Sequence, residues 1–160
     1  MKKNKFMNIA IDLSDDNFDK KYGGPFGACV VKNGKIIGKG INRVIKDHDP
    51  TAHAEMVAIR NACKEMKTHD LSGCELYTSC YPCPMCLSAI IWANIKTVYY
   101  GNTKEDANDI GFRDDFIYEY IDKLAVGDKN DSVLKLSSMN REAAIKVFEQ
   151  YKNDKDKIIY

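Results

Sequence analysis

Three cysteines lie within eight residues of the sequence, in the segment SCYPCPMC that ends at Cys86. Cys83 and Cys86 are three residues apart, so one turn of a helix would bring both thiolates to the same ion. A second segment, TAHAEM, carries His53 and Glu55. Zinc accepts imidazole and thiolate in a tetrahedral shell, and three protein ligands leave a fourth position for water. The spacing therefore indicates an open, catalytic zinc site.

The cysteine segment also has three alternative interpretations. An iron–sulfur loop of the C-x2-C-x2-C-x3-C type is excluded, because Ile90 stands where its fourth cysteine is required. Cys83 and Cys86, at a helix start after a strand, also fit a thioredoxin-like redox pair. Cys80 would make the zinc structural if it served as a fourth ligand. The companion motif around His53 favours catalysis over both alternatives, which nevertheless stay open on the sequence alone.

Together the two segments form H-x-E … P-C-x-x-C, the pattern of zinc-dependent nucleobase deaminases. The predicted ligands of one Zn²⁺ per subunit are His53, Cys83 and Cys86. Glu55 lies two residues after His53, close enough to handle protons without ligating the ion. We expect Glu55 to take a proton from the attacking water, pass it to the ring nitrogen beside the attacked carbon, and later protonate the leaving amine.

The remaining cysteines and histidines favour structural roles. Cys29, Cys63 and Cys74 fall in apolar strand or helix patterns, so we expect them to pack in the core. His48 and His69 lie in polar loops and are expected to be solvated.

Helices and strands alternate along the chain, and these elements must position the candidate site residues. Asn33-Gly34 suits a two-residue turn with positive φ angles, so a β-hairpin is predicted over 26–41. Thr51 is placed to cap the helix of the HAE motif, and Pro84 suits the first turn of the cysteine helix. The element order indicates an α/β sandwich around one mixed sheet. The other predicted elements are helices over 3–20, 52–66, 84–94 and 141–152, helical spacing in DDFIYEYI, and strands over 74–79, 95–101 and, at an edge, 132–137.

Length and composition fit one globular domain over residues 1–160. The chain is 44% hydrophobic and 29% charged, which suits a single sizeable core. A net charge of +1, with no Lys/Arg cluster beyond the first five residues, opposes a nucleic-acid partner. The sequence predicts no membrane span, and FMNIAIDL lacks the features of a secretory signal. We therefore expect a cytoplasmic location, where six cysteines stay as thiols or bind metal.

Four longer segments resemble the guanine deaminases of the cytidine and deoxycytidylate deaminase-like superfamily. They are GGPFGACVVKNGKIIGKGIN, DPTAHAEMVAIRNACK, LYTSCYPCPMCLSAIIWA and GFRDDFIYEYID, in order over about residues 22–123. The resemblance implies a three-layer α/β/α sandwich around a five-stranded mixed sheet of the cytidine deaminase-like fold. It also implies the zinc ligands and the acid/base named above.

The same resemblance implies substrate contacts. Asn42 matches an asparagine that contacts the base, and Phe26 matches an apolar ring that lines the pocket together with Ala54. Asp114 matches an aspartate expected to accept from the donor edge of a purine or to assist proton transfer. A carboxylate and an amide suit the donors that guanine offers. Each residue also has a structural alternative: turn chemistry for Asn42, core packing for Phe26 and a solvated helix start for Asp114.

The C-terminal segment 153–160 is implied to close over the site as a lid, with Tyr160 contacting the substrate. In the family this tail can be exchanged between the subunits of a homodimer. A frayed terminus is the structural alternative. Tyr81 and Arg113 stand where the family has acidic residues, and 124–140 has no close counterpart. These departures bear on substrate preference and tail docking.

The function expected from these observations is hydrolytic deamination of guanine at C2, giving xanthine and ammonia. A tRNA adenosine deaminase shares both motifs but should carry a basic RNA-binding face, which the near-neutral charge opposes. Cytosine or adenine deamination is a further alternative, because the motif does not select the base. A structural-zinc or redox module is the non-enzyme alternative.

Overall fold

The computed structural model of the chain describes residues 2–112, 114–128 and 132–159. They form two compact units, one ending at Tyr118 and the other beginning at Glu119. In chain order the elements are α1 (Lys2–Lys20), β1 (Gly27–Lys32), β2 (Lys35–Ile41), α2 (Val44–Asp47), α3 (Ala54–Met66), β3 (Cys74–Cys80), α4 (Pro84–Trp92), β4 (Thr97–Asn102), α5 (Lys104–Asp109), α6 (Asp115–Ala125) and α7 (Arg141–Asn153).

The first unit is built on a mixed sheet with the strand order β2-β1-β3-β4. β1 pairs antiparallel with β2 and β3, whereas β3 and β4 are parallel. Asn33 and Gly34 join β1 to β2 with φ angles of 50° and 76°, as a type I′ turn requires. The predicted hairpin is confirmed. Because β3 and β4 are parallel, α4 forms the crossover between them, and its start follows the carboxyl end of β3.

Helices cover both faces of this sheet. On β1, Ala28 and Val30 belong to the core on the side of α3 and α4, and Cys29 and Val31 belong to the core formed with α1 and Tyr77. This alternation follows from the period of two along a strand. The expected three-layer α/β/α arrangement is therefore present in the first unit.

Two glycines of β2 let helix α3 lie directly on the sheet. A Cβ atom at Gly40 would fall 2.1 Å from the carbonyl oxygen of Ala54, and one at Gly38 would fall 2.3 Å from that of Ala58. Both separations are far below van der Waals contact, so only glycine permits this approach. The two glycines thereby fix the position of the first turns of α3 relative to the sheet.

The start of α3 differs from the prediction. The helix begins at Ala54, and His53 occupies the N-cap position with an extended backbone (φ −67°, ψ 157°). The Thr51 hydroxyl donates to Asp49 Oδ1 at 2.7 Å instead of capping the helix. The predicted Thr51 cap is wrong, because the nearby aspartate competes for the hydroxyl. At α4 the prediction is confirmed, since Pro84 lies in the first turn.

The second unit contains most of α6 and all of α7, so the helices predicted from DDFIYEYI and over 141–152 are confirmed. The predicted edge strand over 132–137 is wrong, because these residues are irregular and the sheet has four strands in the described part of the chain rather than five. The backbone carbonyl of Leu134 accepts from the Tyr120 hydroxyl at 3.3 Å. The side chains of Val133 and Leu136 are 42% and 50% exposed. The segment therefore has no buried face that would favour a strand.

Beyond α7, the described residues 154–159 are not helical, and the Tyr151 hydroxyl donates to the carbonyl oxygen of Ile158. Tyr160 lies outside the described residues. None of the helices in the described part of the chain combines the length and apolar character needed to cross a membrane.

Candidate metal centre

His53, Cys83 and Cys86 come together at the starts of two helices. His53 is the N-cap residue of α3 and Cys83 that of α4, and Cys86 lies in the first turn of α4. The Nδ1 atom of His53 lies 3.6 Å from Cys83 Sγ and 3.7 Å from Cys86 Sγ. The ligand atoms of the three residues all lie within 4.8 Å of one another. Among the described residues, these three are the group that could hold a metal ion, and we call them the metal-ligand cluster.

The geometry of this cluster fits zinc. Ligands at typical Zn–N and Zn–S distances in a tetrahedron are about 3.6 Å apart, which agrees with the two distances from His53. Hydrogen bonding with Cys86, and then with His53, lowers the pKa of Cys83 against the effect of burial. Hydrogen bonding with Cys83 raises the pKa of His53. Cys83 is thus prepared as a thiolate, the form that binds metal.

Cys80 lies outside the cluster. Its thiol donates to the carbonyl oxygen of Thr103 at 3.4 Å, and burial raises its pKa to about 11. A neutral thiol bonded to a backbone carbonyl is poorly suited to metal binding. All six cysteines are free thiols, so Cys83 and Cys86 are not joined by a disulfide. Among the described residues, the group that could hold a metal consists of His53, Cys83 and Cys86 and does not include Cys80.

Glu55 lies beside the cluster without belonging to it. Its side chain is buried, with 6% of the residue exposed. Thr78 Oγ1 donates to Glu55 Oε1 at 3.0 Å, and Cys86 Sγ donates to Oε2 at 3.6 Å. Burial raises the pKa of Glu55, because the ionised carboxylate loses hydration. A carboxyl group with a raised pKa beside a metal-ligand cluster is suited to general acid–base chemistry.

A cavity of about 700 Å³ in the first unit opens onto the cluster. His53, Glu55 and Cys83 form part of its wall, and Cys86 is fully buried behind them. The structure brings four of the predicted substrate contacts to the same cavity: Phe26, Asn42, Ala54 and Asp114. The predicted contact of Tyr160 lies outside the described residues.

The amide of Asn42 is oriented by its backbone surroundings. Its Oδ1 atom accepts from the Val44 amide at 3.1 Å, so its amino group is the part that can donate to a ligand. Asn17 Nδ2 donates to the carbonyl oxygens of Asn42 and Gly24 at 2.9 and 2.7 Å. Asn42 therefore has both the turn role and the cavity position considered for it.

Asp114 precedes α6 and is partly buried in the cavity wall. Its carbonyl oxygen accepts from the Ile117 amide at 2.9 Å. Burial, and then the negative charge of Cys83, raises the pKa of its carboxyl group. The sequence analysis gave a solvated helix start as the structural alternative for this residue. Asp114 does lie at a helix start, but its carboxyl group is not fully solvated.

Aromatic side chains that the sequence analysis did not select complete the cavity. Phe112 packs edge-on against Phe26 with ring centroids 5.0 Å apart, and Phe116 and Tyr81 also line the wall. Flat apolar walls of this kind favour a planar ring system. Phe112 and Phe116 flank Asp114 in the GFRDDF segment, so their proximity to a candidate contact was the available signal.

The other expectations for cysteines and histidines are met as far as burial tests them. Cys29 and Cys74 are buried and Cys63 is partly buried. His48 and His69 are exposed.

A family profile described as the cytidine and deoxycytidylate deaminase zinc-binding region matches residues 1–102. The chain belongs to this family of zinc-binding deaminases.

Within the family, the chain is 52% identical over 120 residues to the guanine deaminase of Bacillus subtilis (strain 168), covering 75% of this chain and 77% of that protein. The crystal structure of guanine deaminase from Bacillus subtilis superposes with a TM-score of 0.89 and 40% identity, covering 98% of each chain. A tRNA-specific adenosine deaminase of Aquifex aeolicus is 43% identical over 100 residues, covering 62% of this chain and 66% of that protein.

Proposed function

We propose that the protein is a zinc-dependent guanine deaminase that hydrolyses guanine to xanthine and ammonia. The observation that carries this proposal is the position of Glu55, a buried carboxyl group beside three metal ligands on the wall of a cavity. Similarity to the Bacillus subtilis guanine deaminase supports guanine as the base.

The assigned zinc ligands are His53, Cys83 and Cys86. When bound there, zinc supplies a Lewis acid that activates water for attack near neutral pH. These three residues hold the ion through one imidazole and two thiolates, and their positions at two helix starts keep them together. Hydrogen bonds with Cys86 and His53 favour the thiolate form of Cys83.

Glu55 transfers the protons in the proposed reaction. Its carboxylate accepts a proton from the attacking water and delivers it to the ring nitrogen beside C2. The water oxygen forms a bond to C2, and the bond from C2 to the exocyclic nitrogen breaks. Glu55 then takes the second proton of the same water from the hydroxyl group on C2 and gives it to the exocyclic nitrogen, so C2 keeps a carbonyl oxygen and the amine leaves as ammonia.

Asn42 and Asp114 are the proposed readers of the base. The amino group of Asn42 donates to an acceptor such as the purine carbonyl oxygen, since its Oδ1 is already bonded to Val44. The carboxyl group of Asp114 accepts from the donor edge of guanine or assists proton transfer. Phe26 and Phe112 supply apolar contacts to the ring faces or edges, and Ala54 lines the same wall.

The assembly and location also remain proposals. We propose one deaminase domain over residues 1–160 and a cytoplasmic homodimer, with segment 153–160 and Tyr160 acting as a lid that is exchanged between subunits. The family resemblance supports the exchange, and six free cysteines fit a reducing compartment. Light scattering measures the number of subunits. Crosslinking of the Lys157→Cys variant tests whether the tail of one chain contacts the other chain.

Ammonia release by the zinc-loaded protein tests the proposed reaction. The substrates are guanine, adenine, cytosine, cytidine and a tRNA anticodon stem-loop. Glu55→Ala should lose most of the activity on guanine and keep its zinc, whereas Glu65→Ala, at an exposed position of the same helix, should match the wild type. Release from the stem-loop rather than guanine would instead assign the tRNA adenosine deaminase activity named for the Aquifex aeolicus relative.

A further inference from the structure

Thr78 is a buried hydroxyl at a core position of strand β3. Only 1% of the residue is exposed. On the same face of the strand, Cys74 and Leu76 belong to the apolar core beneath α3. Valine has nearly the shape of threonine and would occupy a buried strand position without the cost of desolvating a hydroxyl. The hydroxyl must therefore find a partner in the core.

That partner is the carboxyl group of Glu55. Thr78 Oγ1 donates to Glu55 Oε1 at 3.0 Å, whereas Oε2 lies 3.6 Å from Cys86 Sγ. The two carboxyl oxygens therefore have different surroundings, one directed to the sheet and the other to the metal centre. Threonine is branched at Cβ, which restricts its χ1 angle. Strand β3 thus sets the direction of the hydroxyl rigidly.

We propose that Thr78 is a positioning residue for Glu55, which holds Oε1 against the sheet so that Oε2 alone faces the metal centre and the substrate. This inference rests on the proposed function of Glu55 as the proton carrier. The glutamate side chain has several rotatable bonds, and the hydrogen bond from Thr78 to its carboxyl group restricts that freedom.

The restraint matters for two reasons. Proton transfer requires the carboxyl oxygen to stay within hydrogen-bond reach of the atoms that exchange the proton. A carboxylate released from Thr78 could also turn toward the metal and ligate it, which would close the position that an open catalytic site needs. Loss of the hydroxyl should therefore reduce turnover more than substrate binding.

The test uses Thr78→Val, which removes the hydroxyl but keeps the shape, and Thr78→Ser, which keeps the hydroxyl. Ser79→Ala is the matched control, because Ser79 is a buried hydroxyl of the same strand that accepts from the Gly27 amide at 3.1 Å. Each protein is assayed for kcat and KM on guanine, zinc content and Tm. Each is also prepared with Co²⁺, whose visible absorption spectrum reports changes in metal ligation without any substrate.

We expect Thr78→Val to lose about tenfold to a hundredfold in kcat, the range for one hydrogen bond to a charged group, with KM within threefold and a changed Co²⁺ spectrum. Thr78→Ser and Ser79→Ala should resemble the wild type in kcat and in the Co²⁺ spectrum.

Wild-type kcat and an unchanged Co²⁺ spectrum in Thr78→Val would overturn the proposal, and so would equal losses of kcat in Thr78→Val and Ser79→Ala. If Thr78→Val does not fold, Thr78→Ala replaces it under the same criteria. If the wild type does not act on guanine, the proposed function fails, and the Co²⁺ spectra still decide whether Thr78 positions Glu55.

Discussion

Gly40 in strand β2 lies against the backbone of Ala54, the first residue of helix α3: a Cβ atom at position 40 would fall 2.1 Å from the Ala54 carbonyl oxygen. Ala54 stands between His53 and Glu55, so this contact connects the sheet directly to the residues of the candidate site. Gly40→Ala must displace α3 or the strand. We expect a loss of about 1–3 kcal/mol in the free energy of unfolding, typical of overpacking, together with weaker zinc binding.

Urea unfolding and zinc content measure these two effects. Gly34→Asn is the control, because Gly34 lies in the hairpin turn and, apart from its chain neighbours, no heavy atom of the described residues lies within 4 Å of its Cβ position. Asparagine also tolerates positive φ angles. A Gly40→Ala protein with wild-type stability and zinc content would contradict the assigned role of this contact.

The three-ligand assignment predicts that the cysteines respond differently to substitution. Cys83→Ser and Cys86→Ser should each weaken zinc binding by more than about tenfold, since even residues that only support a ligand have effects of that size. Cys80→Ser should keep its zinc, because the Cys80 thiol is directed to Thr103. Competition with a chelator measures the affinities. Equal zinc loss in Cys80→Ser would favour the structural-zinc alternative.

Much of the fold follows from local signals. Asn33-Gly34 specifies the hairpin because both residues tolerate positive φ angles, and Pro84 marks the start of α4 because a first-turn residue needs no amide donor. Cys83 and Cys86 were predicted for a similar reason, because their separation of three residues is tied to helix geometry, whereas His53 was predicted from the H-x-E motif. The edge strand over 132–137 was wrong because a strand requires a neighbour and a buried face, which the local sequence does not specify.

The cavity wall was less predictable than the metal centre. Phe112 contacts Phe26 across a long separation in sequence, and such contacts depend on the tertiary fold rather than on local spacing. Thr78 gave no signal for the same reason, because a threonine in a strand is ordinary until its partner is known.

Asn42→Asp tests how the base is read. Aspartate keeps an oxygen that can accept from the Val44 amide but loses the amino group that donates to the substrate. We expect KM for guanine to rise at least about tenfold, because a base acceptor would face a carboxylate; Tm should also fall, because residue 42 is buried. Asn61→Asp is the control: Asn61 is exposed and donates to the Lys39 carbonyl oxygen at 2.8 Å. Equal KM values in both variants would remove Asn42 from the base-recognition assignment.

Cys29 predicts a loss of stability at alkaline pH. Burial raises its pKa from about 9 to about 11, and its thiol donates to the Phe6 carbonyl oxygen at 3.6 Å. Between these pH values the unfolded chain has released the proton while the folded protein retains it, so stability falls as pH rises. The contribution of this group is at most about 3 kcal/mol. Urea unfolding from pH 8 to 11 measures how the free energy of unfolding falls with pH. For Cys29→Ala this slope should be shallower than for the wild type, by the equivalent of up to one proton. For Cys63→Ala, at a less buried thiol, the slope should be closer to that of the wild type. Parallel pH curves for Cys29→Ala and the wild type would show that the Cys29 thiol does not contribute to this loss.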